Sequence, residues 1–197
     1  MRVQILLFDG VEEQDFIAPV EVLGLARSMG AAFTTTLVTT GKPGTVTCAY
    51  GTRVEVATGW SPQDTDILIV PGGGYTRLNG PGVRTLIADK EFLGRLTAIK
   101  AMPVGICTGA MVLSAAGITR GRPATTHANA KADLAAQGAT LVNARVVDDG
   151  TLITGGGVTS GLEVALWLVE RFASAKQAQQ AEIVLEYERR GSVWRSS

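Results

Sequence analysis

The sequence predicts an α/β fold: a mostly parallel sheet with helices packed on both faces. Three observations predict it. Short, nearly continuous apolar runs such as Val3–Phe8 and Asp66–Val70 read as strands buried on both faces. Segments with apolar residues at helical spacing separate these runs. Glycines cluster where strands end, at Gly72–Gly74 and Gly155–Gly157. The chain holds 24 glycines in 197 residues, where roughly 14 would be usual, and their clustering means turns and close backbone approach rather than disorder.

The elements follow in order. Val3–Phe8 is the first strand. Pro19–Met29 places Val20, Val22, Leu23, Leu25 and Ala26 on a helix that stops at Gly30. Ala32–Thr39, rich in threonine, phenylalanine and valine, is a strand. Thr45–Cys48 and Arg53–Ala57 flank Ala49-Tyr50-Gly51-Thr52 as a hairpin. Asp66–Val70 is a buried strand broken by Pro71-Gly72-Gly73-Gly74. Val83–Ala88 and Glu91–Ile99 are helical. Met102–Ile106 is a strand, followed after Cys107 by a helix that stops at Gly117. Ala124–His127 is a short strand and Ala128–Gln137 a helix stopped at Gly138. Thr140–Val142 and Arg145–Val147 are extended, and Asp149-Gly150 signals a hairpin turn before Leu152–Thr154. Thr159–Phe172 is a helix. Ser174 with Gln177 three residues on fits a capping box and opens a last helix to about Glu188. No linker, repeat or low-complexity run interrupts the chain, so residues 1–197 read as one domain with a loose tail over 190–197.

Composition excludes several functions. The net charge is zero and no basic stretch alternates with aromatics, so nucleic acid is not an expected partner. Trp60, Trp167 and Trp194 have no spacing suited to base stacking. No apolar run approaches the ~20 residues of a membrane helix, and the apolar start is too short for a signal peptide. The expected location is the cytoplasm. Two cysteines make no disulfide framework, and Cys48, on a hairpin edge, reads as structural. With one histidine and no paired cysteines, no metal site is expected.

Cys107 carries the chemical signal. It stands in Gly105-Ile106-Cys107-Thr108-Gly109, between a strand and a helix, as in a nucleophile elbow. Such a turn lifts the sulfur to the carboxyl edge of the sheet, beside the first free N–H groups of the helix. On that ground the thiol is expected to titrate below a free cysteine. Three further strand ends qualify as partners. Asp15, flanked by apolar residues, reads either as a desolvated proton carrier or as a helix-start carboxylate. Glu12 and Glu13 read as solvated loop charges. Gly72 and Gly73 offer bare N–H groups for an anion hole with the N–H of Thr108. His127 is either a general base or a core or interface histidine. The Gly156–Gly161 spacing is Walker-like, but Leu162 stands where a phosphate-binding lysine is needed. Gly155-x-Gly157 lacks a third glycine, so that loop reads as close packing of a helix on the sheet.

Taken together, these segments resemble the ThiJ/PfpI superfamily, a class I glutamine-amidotransferase-like group. The resemblance runs from Val3 to about Phe172 and rests on Gly10–Pro19, Val70-Pro71-Gly72-Gly73, the cysteine elbow and Ala124-Thr125-Thr126-His127. It implies a flavodoxin-like three-layer sandwich. Gly121-Arg122-x-Ala124-Thr125-Thr126-His127 and Arg145–Gly157 look most like the isocyanide hydratase branch. The resemblance implies Cys107 as nucleophile, Asp15 as its acid/base partner, a twofold homodimer and no metal or organic cofactor; the expected partner is a small-molecule substrate, and Thr108 Oγ is a weaker hydrogen-bonding aid to the carboxylate or substrate. Thr108 stands where the peptidase branch has histidine, which argues against a protease. Asp15 stands where the glyoxalase and deglycase branch has glutamate. Ala128 follows His127 where the hydratases have tryptophan, which leaves the substrate open. The alternatives implied are hydration of methylglyoxal or a non-catalytic redox-sensing stress protein. Similar motifs occur in sensor halves of transcription regulators, but the chain leaves no room for a DNA-binding half.

Overall fold

The computed structural model describes residues 1–196. A seven-stranded sheet organises it. Five strands are parallel neighbours: β1 (Arg2–Leu6), β2 (Thr34–Val38), β5 (Ile67–Val70), β6 (Met102–Gly105) and β10 (Ile153–Gly155), in the order β2-β1-β5-β6-β10. This is the flavodoxin-like order, with a switch point between β1 and β5. Beyond β10 the sheet continues through antiparallel β9 (Val146–Asp148) to β11 (Trp194–Arg195), which runs parallel to β9. β3 (Gly44–Thr47) and β4 (Arg53–Val56) form the expected hairpin apart from the sheet, and β7 (Pro123–Ala124) pairs with β8 (Thr140–Leu141).

The apolar runs do what their composition requires. Ile67, Leu68, Ile69 and Val70 are all fully buried, because a central parallel strand is covered from both sides. One cover layer holds α1 (Glu13–Ser28), α6 (Ser160–Phe172) and α7 (Ala175–Leu185), with α1 packed along α6. The other holds α2 (Val83–Ala88), α3 (Lys90–Thr97) and α4 (Gly109–Ala115). On α6, Val164, Leu168 and Val169 have no exposed surface, and each such side chain contributes about 2 kcal/mol by leaving water. The last helix element, α5 (Lys131–Ala136), follows a 3-10 turn at Ala128–Ala130.

The structure departs from the sequence reading in four places, the smallest being the strand read over Ala124–His127, of which only Ala124 lies in a strand (β7). α1 starts at Glu13, six residues before Pro19, and the proline lies inside it. Proline lacks an N–H and so leaves the Asp15 carbonyl without its helical donor. The supposed tail is not loose within the described residues. Trp194 and Arg195 pair with Val147 and Asp148, and Arg195 stacks over Trp167 at 5.7 Å. Ser197, part of the same expected tail, lies outside the described residues. The capping box at Ser174 is half made. Ser174 Oγ accepts the Gln177 backbone N–H at 3.1 Å, but Gln177 Oε1 reaches back to the Ser174 hydroxyl and not to the Ser174 N–H, while its Nε2 donates to the Met29 carbonyl. Among the described residues no helix is long and apolar enough to cross a membrane.

Candidate active site

The site lies at the carboxyl ends of β1, β5, β6 and β10, around the switch point where α/β sheets bind ligands. Each strand delivers one part. β1 leads to Asp15 in the first turn of α1, β5 to Gly72, β6 to Cys107, and β10 to the loop Gly156–Val158.

Cys107 adopts a left-handed conformation with φ of 55°. That costs a non-glycine residue about 1 kcal/mol, so its surroundings must hold it there. They do so from both sides. Its N–H donates to the carbonyls of Gly155 (3.1 Å) and Gly156 (2.9 Å). Its carbonyl accepts the Thr126 hydroxyl at 2.8 Å. The flanking glycines make the turn possible by contact rather than by φ. A Cβ on Gly109 would overlap the Val70 carbonyl oxygen and come within 2.7 Å of the Pro71 oxygen; one on Gly105 would lie 2.8 Å from Ala110 Cα.

Asp15 has no exposed surface. Its Oδ2 accepts the Gly72 N–H at 2.8 Å, while Oδ1 has no conventional N–H or O–H partner. The Cys107 thiol is close enough for each group to act on the other's proton. Burial pushes the Asp15 carboxyl up to about 7, against the opposing pull of the Gly72 N–H. The thiol is also pushed up, to about 12, first by burial and then by the Asp15 charge. This corrects the expectation of a freely ionised cysteine. The helix-end amide at Thr108 and the Val158 N–H do favour the thiolate, but desolvation and a neighbouring carboxylate outweigh them. The pair therefore titrates as one unit, releasing one proton near neutrality and keeping the other. Of its two singly protonated forms, the one with a neutral carboxyl beside a thiolate is the one that carries a sulfur nucleophile.

The remaining predicted residues fall at the site in altered roles. Gly72 and Gly73 are there, but their amides are engaged. Gly72 N–H donates to Asp15, and Gly73 N–H donates to Thr108 Oγ1 at 3.0 Å. They build the site and do not stand open as an anion hole. Gly72 must be glycine because a Cβ would sit 2.6 Å from the Thr108 nitrogen and 3.0 Å from Asp15 Oδ2. Thr108 thus links the elbow to the Gly72 loop through its hydroxyl. His127 lines the same cavity as Cys107. Its Nδ1 accepts the Asn129 N–H at 3.2 Å, and its ring lies against Gly157. No hydrogen bond joins it to Cys107 or Asp15 among the described residues.

Sequence reasoning missed three contributors. Val158, with φ of 23°, points its N–H at the sulfur from the loop read as mere packing. Thr126 pins the Cys107 carbonyl. Glu12, read as a solvated charge, is half-buried in the cavity wall, and burial raises its carboxyl. Glu13 is not free either, since its Oε1 accepts the Tyr50 N–H at 3.0 Å and ties α1 to the β3–β4 hairpin. Only the triple-glycine run at Gly155–Gly157 hinted at the Val158 amide. Cys48 is buried in that hairpin, its thiol pushed up to about 11 by burial and by Glu13 and Asp9. Among the described residues no group of three or more histidine, cysteine or acidic side chains could hold a metal ion.

The cavity over Cys107 has a volume of about 210 Å³. Glu12, Tyr75, Arg77, His127 and Asn129 make a largely polar wall. A buried proton-sharing pair beneath a small polar cavity suits covalent chemistry on a small electrophile.

Comparison with known proteins finds relatives of this chain. An isonitrile hydratase of Pseudomonas putida is 33% identical over 191 residues, covering 95% of this chain and 78% of that protein. A Parkinson disease protein 7 homolog of Danio rerio is 32% identical over 194 residues, covering 93% of this chain and 96% of the other. Among solved structures, a ThiJ/PfpI family protein from Pseudomonas syringae superimposes with a TM-score of 0.83 at 27% identity, covering 96% of this chain and 76% of that one. Residues 1–171 match the DJ-1/PfpI family, and the chain belongs to it.

Proposed function

We propose that the protein hydrates isocyanides, R–N≡C, to N-substituted formamides. The observation that carries this reading is the Asp15–Cys107 pair: a fully buried carboxyl with one unpartnered oxygen beside a thiol, sharing a proton near pH 7. An isocyanide needs both a nucleophile and a proton at one carbon. The Cys107 thiolate attacks the terminal carbon, and the Asp15 carboxyl delivers its proton to that same carbon. The product is a thioimidate, R–N=CH–S–Cys107. Water then adds to the carbon as the Asp15 carboxylate takes its proton and passes it to nitrogen. The tetrahedral adduct R–NH–CH(OH)–S–Cys107 breaks its C–S bond and releases the formamide, and the hydroxyl proton returns to the pair. Two moderate steps replace one difficult addition. The Thr108 and Val158 amides hold the sulfur charge at either end of the cycle. The isonitrile hydratase relative supports this reading.

The test is formamide production from an alkyl isocyanide, run beside lactate production from methylglyoxal. Cys107→Ala is expected to lose at least about 10³-fold in formamide formation and to show no mass adduct with isocyanide. An unchanged rate would remove the covalent step. Lactate without formamide would move the function to carbonyl hydration. Peroxide-dependent mass gain at Cys107 without either product would support a redox-sensing role. We extend the proposal to a twofold dimer, supported by the exposed apolar Ile17 and Val20 on α1; light scattering showing only monomer would overturn it.

A further inference from the structure

The cavity over Cys107 holds one more charge than the proposed mechanism uses. Glu12 stands half-buried in its wall. Among the described residues its carboxylate makes no hydrogen bond or ion pair. Its charge reaches the reacting pair, raising the proton affinity of Asp15. The balancing cation is Arg77, which lines the same cavity but is exposed at the rim, and its guanidinium also lacks a partner among the described residues. The other charged groups nearby are held by hydrogen bonds or stacking, though the Glu13 charge still acts on Glu12 and adds to the negative field there. Glu13 binds hairpin amides, Asp133 accepts the Tyr75 hydroxyl at 2.7 Å, and Arg84 lies over the Tyr75 ring at 5.0 Å.

Placement decides which charge wins. Arg77 is surrounded by water, and its field is screened. Glu12 and the singly ionised Asp15–Cys107 pair lie deeper, where screening is weaker. The interior of the cavity is therefore negative above neutral pH.

We propose that this cavity filters electrophiles by charge, admitting small neutral or cationic molecules and turning away anionic ones, with Glu12 setting the preference. The inference rests on Cys107 as the reacting nucleophile and deepens the hydratase reading. Aminoalkyl and hydroxyalkyl isocyanides should be better substrates than a carboxylate-bearing isocyanide of equal length.

Alkylation of Cys107 tests the filter without needing turnover. The thiolate displaces iodide from iodoacetamide, which is neutral, or from iodoacetate, which is anionic. A C–S bond forms, the C–I bond breaks, and iodide leaves with the electron pair. Rates are read by mass spectrometry on the Cys107 peptide, and the same thiol in unfolded protein supplies the reference ratio. The folded protein is expected to disfavour iodoacetate by about tenfold beyond that reference, the scale of one unit charge acting across a partly screened cavity. Glu12→Gln should bring the ratio to within about twofold of the reference. Arg77→Gln, a change at an exposed position, should widen it. A folded-state ratio equal to the reference overturns the proposal, as does an Arg77→Gln ratio that narrows. A normal filter with no formamide from any isocyanide would sink the hydratase reading and leave the filter. Formamide formation with no charge preference would do the reverse.

Discussion

Asp15→Asn is expected to slow formamide formation by about 10³-fold, the usual scale for a positioned proton donor, while making the folded chain more stable above pH 7. The two effects share one cause. The carboxyl is fully buried and titrates at about 7, against 3.8 for an unperturbed aspartate. Between those values the folded state binds a proton that the unfolded state has lost. The contribution of Asp15 to stability is therefore complete below pH 3.8 and is lost as pH rises through about 7. A shift of that size corresponds to at most about 4 kcal/mol. Asparagine keeps an oxygen for the Gly72 N–H and has no charge to desolvate. The variant should gain roughly 2–4 kcal/mol at pH 8 and almost nothing at pH 4. Urea unfolding at the two pH values checks this. An equal gain at both would mean that the carboxyl is not held protonated by its surroundings. Retained turnover would remove Asp15 from the chemistry. Stability surrendered at a working residue is a common feature of active sites.

Gly109→Ala should disrupt the elbow itself. The added methyl would overlap the Val70 carbonyl oxygen and lie 2.7 Å from the Val70 carbonyl carbon. Both contacts are backbone, so no side-chain rotation relieves them. α4 would have to withdraw from the end of β5, and Thr108 with it. That breaks the Gly73 N–H bond to Thr108 Oγ1 and moves the amide that faces the sulfur. The expected cost is on the order of 3 kcal/mol, read from the urea midpoint. Formamide formation should fall even in the fraction that stays folded. Gly94→Ala is the control, because nothing lies within 4 Å of a Cβ there. A Gly109→Ala protein as stable and active as this control would show that the tight strand–helix junction is not needed.

Much of this architecture was legible in the chain. Continuous apolar runs such as Ile67–Val70 identify central strands, because burial from two sides leaves no polar alternation. The Asp149-Gly150 turn marked the β9–β10 hairpin, and Gly150 duly has φ of 73°. The start of α1 was not legible. Pro19 looked like a helix start, and Glu12 and Glu13 like loop charges, although a helix-start carboxylate was one reading of Asp15; packing of α1 against α6 carries the helix across the proline. β11 was hidden for a different reason. Two residues pairing with the distant β9 have no local pattern.

The site shows the same division. Cys107, Asp15, Gly72 and Thr108 could be picked out because residue type and strand ends mark them. Their hydrogen bonds could not, since the direction of an amide is a tertiary property. That is why the Gly72 and Gly73 N–H groups were expected to be open, and why Val158 was passed over. The proton affinity of Cys107 was misjudged on the same ground. A helix end is visible in sequence, whereas the desolvation that opposes it exists only in the folded core.

The pH dependence of Cys107 alkylation by iodoacetamide, compared between the wild type and Asp15→Asn, tests the shared proton most directly. Below pH 7 both groups of the wild-type pair are protonated; above it one proton is gone and the thiolate tautomer becomes available. The rate should rise through a single inflection near pH 7 and then level, and Asp15→Asn should lose that inflection and rise only at higher pH. The same inflection near pH 7 in both proteins would contradict a proton held jointly by Asp15 and Cys107.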